Sequence, residues 1–132
     1  MTAAHTAVIT ALHAAMEGPG GLNLARAPLP RQQAGHVHYP TRTITINENA
    51  TVPLFCTALM HELVHLERGP SYVDEVDDDE HEVLYETARR LVPFACIPTD
   101  IRTDPYQIAR HLGIDVSAVH LALNLTRYLG VA

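Results

Sequence analysis

Residues 56–69, CTALMHELVHLERG, place a His-Glu-x-x-His core in a run that is otherwise almost entirely apolar. Leu54, Phe55, Leu59, Met60, Leu63, Val64 and Leu66 leave the segment without a wide polar face, which predicts a buried helix. Thr51 or Asn49 can cap its start, Pro53 is tolerated in its first turn, and Gly69 is a natural stop. On such a helix His61 and His65 project from one face a turn apart, so both can reach a single ion. Glu62 points to one side of that pair, within reach of a water beside the ion. The division of labour is then two neutral imidazoles to hold zinc and one carboxylate to take a proton. The competing reading is two core histidines satisfied by carbonyls or carboxylates. Nine histidines in 132 residues raise the chance of such accidental spacing. Burial decides for the metal, because a buried helix carries three such polar side chains only if they have partners.

A zinc site of this type needs a third protein ligand and leaves its fourth position to water. The acidic run after Gly69 offers many carboxylates, and helical geometry selects among them. Advancing 100° per residue from Glu80 gathers Val83, Leu84, Thr87, Ala88 and Leu91 on one face. Glu82, Glu86, Arg89 and Arg90 fall opposite, with Glu82, Glu86 and Arg90 spaced for charge pairing. Glu80 is therefore the carboxylate that opens the core-facing stripe and is the expected third ligand. Asp77 is its nearest substitute, and His81 sits at the margin. The rival role for Glu80 is that of an acid complementing the helix dipole. The chain from 69 to 79 is long enough to reverse direction, so the two helices can lie antiparallel with Glu80 facing the histidines.

Outward from this pair the pattern remains legible. Residues 3–17 form a helical repeat with Val8, Leu12, Ala15 and Met16 on one side, stopped by GPGG at 18–21. A Pro-rich passage leads into HVHYPTRTITIN at 36–47, where period-two alternation around Pro40, Thr41 and Arg42 predicts a short hairpin. A helix is expected over about 78–92, ended by Pro93. Two shorter helices follow, one starting at Asp104 with Pro105 just inside it, the other near Asp115 or Ser117. The expected fold is α+β and mainly helical, with the small hairpin packed on the His-Glu-x-x-His helix. One domain is expected over 1–132: an N-terminal helix (1–17), a core (35–95) and a C-terminal helical tail (99–132).

Composition bounds the function. The chain is 47% hydrophobic, 18% charged and carries a net charge of −6, which argues against a protein devoted to gripping phosphate backbones. Cys56 and Cys96 both lie in apolar stretches and read as reduced core residues rather than a disulfide framework. The apolar N-terminus lacks the positive region of a signal peptide and is broken by His5, His13 and Glu17. No segment is long and apolar enough to cross a membrane, so a soluble cytoplasmic protein is expected.

HELVHLERG followed by DEHEVLYETARRLVP resembles the ImmA/IrrE family of metallopeptidases, small gluzincin-like proteins of bacteria, mobile elements and phages. The family pairs HExxH with a downstream glutamate opening E-x-x-A-x-x-x-A-A-x-x-L-x-P, which maps here onto Glu80, Val83, Thr87, Ala88, Leu91 and Pro93. The resemblance covers roughly 35–95, and the size is that of compact phage, prophage or actinobacterial members. It departs at Val83, where a smaller residue is usual, and at Glu86, which replaces an aromatic. It implies a zincin-like fold with a hairpin lining the cleft, and zinc on His61, His65 and Glu80 beside Glu62 as general base. It further implies cleavage of a specific regulatory protein such as a transcriptional repressor. An extended substrate can add to the hairpin edge. The donor to the oxyanion is open among His81, His36, His38, Tyr39 and Tyr72.

The tail, IARHLGIDVSAVHLALNL at 108–125, has helix-turn-helix spacing, with Ala109 and Val119 inward and Gly113 at the turn. The second helix offers His120, Asn124 and Arg127 beside Asp115, too little positive charge for a groove-binding surface. Packing on the metal helices or recognition of a protein is the better expectation. The alternative for the whole chain is a non-catalytic regulatory or adaptor protein stabilised by zinc that uses its helix-turn-helix-like tail for protein or DNA interaction, and in which a fourth ligand such as Cys96 or another histidine closes the site.

Overall fold

A computed structural model describes the backbone of residues 1–71 and 76–128 and the side chains of 1–71 and 79–125. The chain runs α1 (Ala3–Glu17), β1 (Asn23–Ala27), β2 (Gly35–His38), β3 (Thr43–Asn47), α2 (Val52–Arg68), α3 (Val76–Leu91), α4 (Pro105–Leu112) and α5 (Val116–Tyr128). Short 3-10 turns at Pro30–Gln32, Phe94–Cys96 and Thr99–Ile101 join them. The fold is α+β, with helices predominating.

Helix α2 is the element on which the others assemble. The Thr51 hydroxyl accepts from the Leu54 N–H at 3.4 Å at its start. At its end Gly69 adopts φ 81° and donates its N–H to the His65 carbonyl at 2.9 Å. Between these caps Ala58, Leu59, Met60, Leu63, Val64 and Leu66 are buried. Helices α1 and α3 and strands β2 and β3 all touch α2.

The sheet has the order β1-β3-β2, with β3 parallel to β1 and antiparallel to β2. Central β3 turns Ile44 and Ile46 into the core, both fully buried, and its alternate residues outward. The expected hairpin is β2–β3, closed by an Arg42 N–H to Tyr39 carbonyl bond of 3.1 Å. Strand β1 was not anticipated from the sequence. Its first four residues are exposed, so it shows no buried alternation, and it is held by main-chain pairing from Asn23↔Thr43 to Ala27↔Asn47. With β3 in the centre, β1 and β2 are the two edge strands among the described residues.

Helix α3 starts two residues earlier than expected and buries Val83, Thr87, Ala88 and Leu91 of the stripe predicted from Glu80, while Leu84 is half-buried and the Glu80 side chain itself is 45% exposed. Three pairs clamp its exposed flank to α2: Arg90 forks onto Glu67 at 2.9 and 2.7 Å, Arg68 meets Asp79 at 2.8 Å, and Arg68 also reaches Glu82. The predicted Glu82–Glu86–Arg90 ladder is thus only partly made within α3: Arg90 does pair with Glu86 at 3.6 Å, while Glu82 turns to α2.

In the tail, the Asp104 carboxylate caps α4 by accepting from the Tyr106 and Gln107 N–H groups at 3.1 and 3.3 Å. Gly113, at φ 72°, ends it in the left-handed conformation. Ile108, Ala109, Leu112, Ala118, Val119 and Ala122 are buried, and α5 packs on both α4 and α3. Arg127 lies outside the residues whose side chains are described.

Two expectations fail. Cys96 is exposed and Cys56 only half-buried, both as free thiols. The 3-10 turn after Pro93 sends Ile97, 2% exposed, into the core and leaves Cys96 outside. Met16 is 54% exposed, because the side of α1 that meets the core runs through Ala4, Val8, Ala11 and Ala15 and leaves Met16 outside it. Among the described residues no helix is long and apolar enough to cross a membrane.

Candidate metal centre

His61 and His65, one turn apart on α2, present their rings edge to face with centroids 4.9 Å apart. Glu80, in the first turns of α3, spans both: its Oε1 lies 2.9 Å from His61 Nε2 and its Oε2 lies 2.9 Å from His65 Nε2. One donor atom from each of the three residues lies within 4.8 Å of the other two. The packing of α3 against α2 produces this arrangement, with Arg68–Asp79 and Glu67–Arg90 pairs linking both ends of α3 to the last turn of α2.

Two imidazoles and a carboxylate form an N₂O donor set suited to zinc and neighbouring divalent transition metals. The ring nitrogens now share a carboxylate that can satisfy only the protons on their inner edges. A cation at that point could take the place of both protons. The residues therefore fit a divalent ion chemically, and this fit alone does not identify it as zinc. Asp77, the expected substitute for Glu80, has its side chain outside the described residues, as does all of Tyr72.

Glu62 is 7% exposed and lies beside the triad. Burial, and secondarily the negative charge of Glu80, push its carboxyl up to about 7. A carboxyl poised there exchanges protons near neutral pH, as a general base must. Burial also lowers the pKa of His61, partly opposed by Glu80, which favours the neutral ligating form of the ring.

The triad and Glu62 floor an open cleft of about 430 Å³, walled on its other side by Gln33, Gly35, His36, Val37 and Tyr39. The β2 edge thus runs along the cleft. Gly35 is there because of space: a Cβ at this position would sit 3.0 Å from Glu62 Cγ and 3.2 Å from Ile46 Cδ1. Of the four oxyanion-donor candidates among the described residues, Tyr39 and His36 line the cleft. Tyr39 follows the inward register of Gly35 and Val37, whereas His36 is exposed on the alternate register. Burial raises the Tyr39 pKa, with further contributions from Glu62, Asp79 and Glu80, so its hydroxyl keeps its proton. His38 is exposed and bonded to the Thr41 hydroxyl at 2.8 Å, and His81 is exposed and does not line the cleft.

Gln33, Gly35 and Asp79 were not singled out from sequence. Asp79 adjoins Glu80 in an acidic run that gives no residue-level signal. Its role emerges from Arg68, one helical turn beyond His65, which donates to it across the α2–α3 gap. Compared with known proteins, the chain matches no protein-family model, no curated protein and no solved structure.

Proposed function

We propose that the chain is a zinc-dependent metallopeptidase of the ImmA/IrrE kind, with a zincin-like core, which hydrolyses a peptide bond in a cytoplasmic regulatory protein such as a transcriptional repressor. The observation that carries this reading is the meeting of His61, His65 and Glu80 from two helices, with buried Glu62 beside them. His61, His65 and Glu80 would hold the ion. When bound, it supplies Lewis acidity toward the scissile carbonyl and acidifies a water.

The remaining work belongs to the chain. Glu62 takes a proton from the attacking water and returns it to the departing amine. Its buried position keeps the carboxylate poorly solvated and therefore basic. The Tyr39 hydroxyl, on the inward register of the cleft wall, can donate to the oxygen on which negative charge develops. β2 is an edge strand among the described residues, and an extended peptide pairing with it would lay the scissile bond along the cleft.

The competing assignment is a non-catalytic adaptor with a closed structural zinc. Among the described residues the donor group consists of three side chains, and Cys96 is not among them. The adaptor reading requires a fourth protein ligand, and Cys96 does not supply it. The tail is better read as a protein-facing or packing element than as a DNA reader, since its small residues Ala109, Ala118 and Ala122 are buried against other helices.

Glu62→Gln separates the two assignments. A peptidase loses cleavage by at least about 100-fold in this variant while still binding one zinc per chain. Cells expressing the parent and the variant are compared by proteomics to find the substrate. Undiminished cleavage by Glu62→Gln would remove Glu62 as the base.

A further inference from the structure

His65 has two ring nitrogens, and each faces a carboxylate. Nε2 lies 2.9 Å from Glu80 Oε2, and Nδ1 lies 4.0 Å from Asp79 Oδ2. Asp79 is itself held on both oxygens. Its Oδ1 accepts from Arg68 Nε at 2.8 Å and its Oδ2 accepts from the Ser71 hydroxyl at 2.6 Å. Its side chain is 15% exposed, matching that of His65. A carboxylate fixed so firmly at the outer edge of a candidate ligand has an obvious task.

We propose that Asp79 is a positioning residue for His65: it fixes the ring orientation and tautomer that present Nε2, rather than Nδ1, to the metal. This rests on the assignment of His61, His65 and Glu80 as ligands. Metal-bound histidines generally donate the other ring N–H to a carboxylate or carbonyl, which orients the ring and raises its basicity. The 4.0 Å separation fits this scheme. In the tautomer whose proton lies on Nε2, that proton faces Glu80 Oε2, 2.9 Å away. Nδ1 then offers a lone pair to Asp79, and the two stand apart. A cation taken by Nε2 leaves the ring proton on Nδ1, facing an acceptor already held in place by Arg68 and Ser71.

The same geometry couples the ligands. Asp79 is the neighbour of Glu80 in α3, while Arg68 lies three residues beyond His65 in α2. The Arg68–Asp79 bond therefore joins the two ligand-bearing helices within one residue and one turn of the ligands themselves.

Zinc affinity of the full chain, measured by competition with a chromophoric chelator, tests the proposal. Asp79→Asn is expected to weaken zinc binding about 10- to 100-fold, the range for loss of such outer partners. Glu82→Gln, which removes an equal charge from the same helix and also contacts Arg68, is expected to stay within about 3-fold, since it does not face His65. Cobalt in place of zinc should give a shifted visible spectrum in Asp79→Asn and a parental one in Glu82→Gln. In the parent, imidazole nitrogen shifts followed through a zinc titration should show His65 passing from the Nε2–H to the Nδ1–H form. That measurement requires no variant to fold. Equal zinc affinities for Asp79→Asn and the parent, equal losses in the two variants, or coordination through Nδ1 would each overturn the role while leaving the ligand set intact. Failure of the parent to take up zinc, or zinc uptake undiminished in His61→Ala, would instead sink the ligand assignment on which the proposal rests.

Discussion

Glu62 and Gly35 are a matched pair of residues. The absent Cβ of Gly35 leaves the space that Glu62 Cγ approaches, so Gly35→Ala must displace the carboxylate or bend the edge strand. Zinc affinity should change by less than about 3-fold, because no ligand moves, while turnover falls by about 10-fold or more. Steady-state kinetics on the identified substrate decide this, and unaltered turnover would show that the contact relaxes without cost. The carboxyl itself should be visible in stability. Its pKa stands near 7 in the folded chain against an ordinary value of 4.5, so the folded state binds the proton more tightly than the unfolded state. Stability contributed by the protonated form is therefore lost as pH rises from about 4.5 to 7. His61 works in the opposite sense: burial lowers its pKa, so its contribution is present at higher pH and is lost as pH falls below its ordinary value of 6.5. The difference between parent and Glu62→Gln isolates the glutamate. In metal-free protein at pH 8 the variant should be more stable by up to roughly 3 kcal/mol, with the gap closing toward pH 4. Urea midpoints across that range give the measurement, and parallel curves would contradict the buried-acid account.

Where α4 turns into α5, α1 supplies the constraint. A Cβ on Gly113 would lie 2.7 Å from His5 Nε2, and its φ of 72° is strained for any side chain. Gly113→Ala should cost about 1–3 kcal/mol, of which His5→Ala in the same chain restores the steric part and leaves the backbone part. Denaturation of both variants checks this, and full rescue would mean that the left-handed turn carries no strain. The turn also explains which elements could be read in advance. α2, α3 and α4 announce themselves by 3.6-residue burial and by end residues acting locally: Thr51, Gly69, Asp104 and Gly113. The β2–β3 hairpin is similarly local, its Ile44 and Ile46 alternating with half-buried neighbours. Strand β1 is not local. It exists because β3 has an unpaired edge about twenty residues away, and its exposed side chains carry no trace of that partner. The site divides along the same line. His61, His65 and Glu80 follow from helical spacing within single elements. Gly35, Tyr39 and Asp79 acquire meaning only from what another element places opposite them.

At the scale of the molecule, the three donors come from the two helices that between them touch most of the other elements. α2 carries two donors and contacts α1, β2, β3 and α3, while α3 carries the third and contacts α1 and α5. The ion pairs bridging α2 and α3 are partly exposed, with Arg68 39% and Glu67 45% accessible, and pairs of that kind contribute about 0–1 kcal/mol each. A cation bound by the folded arrangement and not by the unfolded chain acts more strongly. At a thousandfold excess over its dissociation constant it adds about 4 kcal/mol, worth roughly 10–25 °C in Tm for a domain of this size. Zinc should therefore raise the Tm by that order and a chelator should reverse it. Magnesium at equal concentration should have little effect, because two imidazoles suit borderline metals rather than hard oxygen-seeking ones. His61→Ala and Glu80→Ala should lose the increment, whereas Glu62→Gln should keep it, since Glu62 is not a donor. Nine histidines offer zinc other places to bind, so the variants are essential. A Tm increment that survives in His61→Ala would place the stabilising ion elsewhere on the chain and detach the fold's stability from this site.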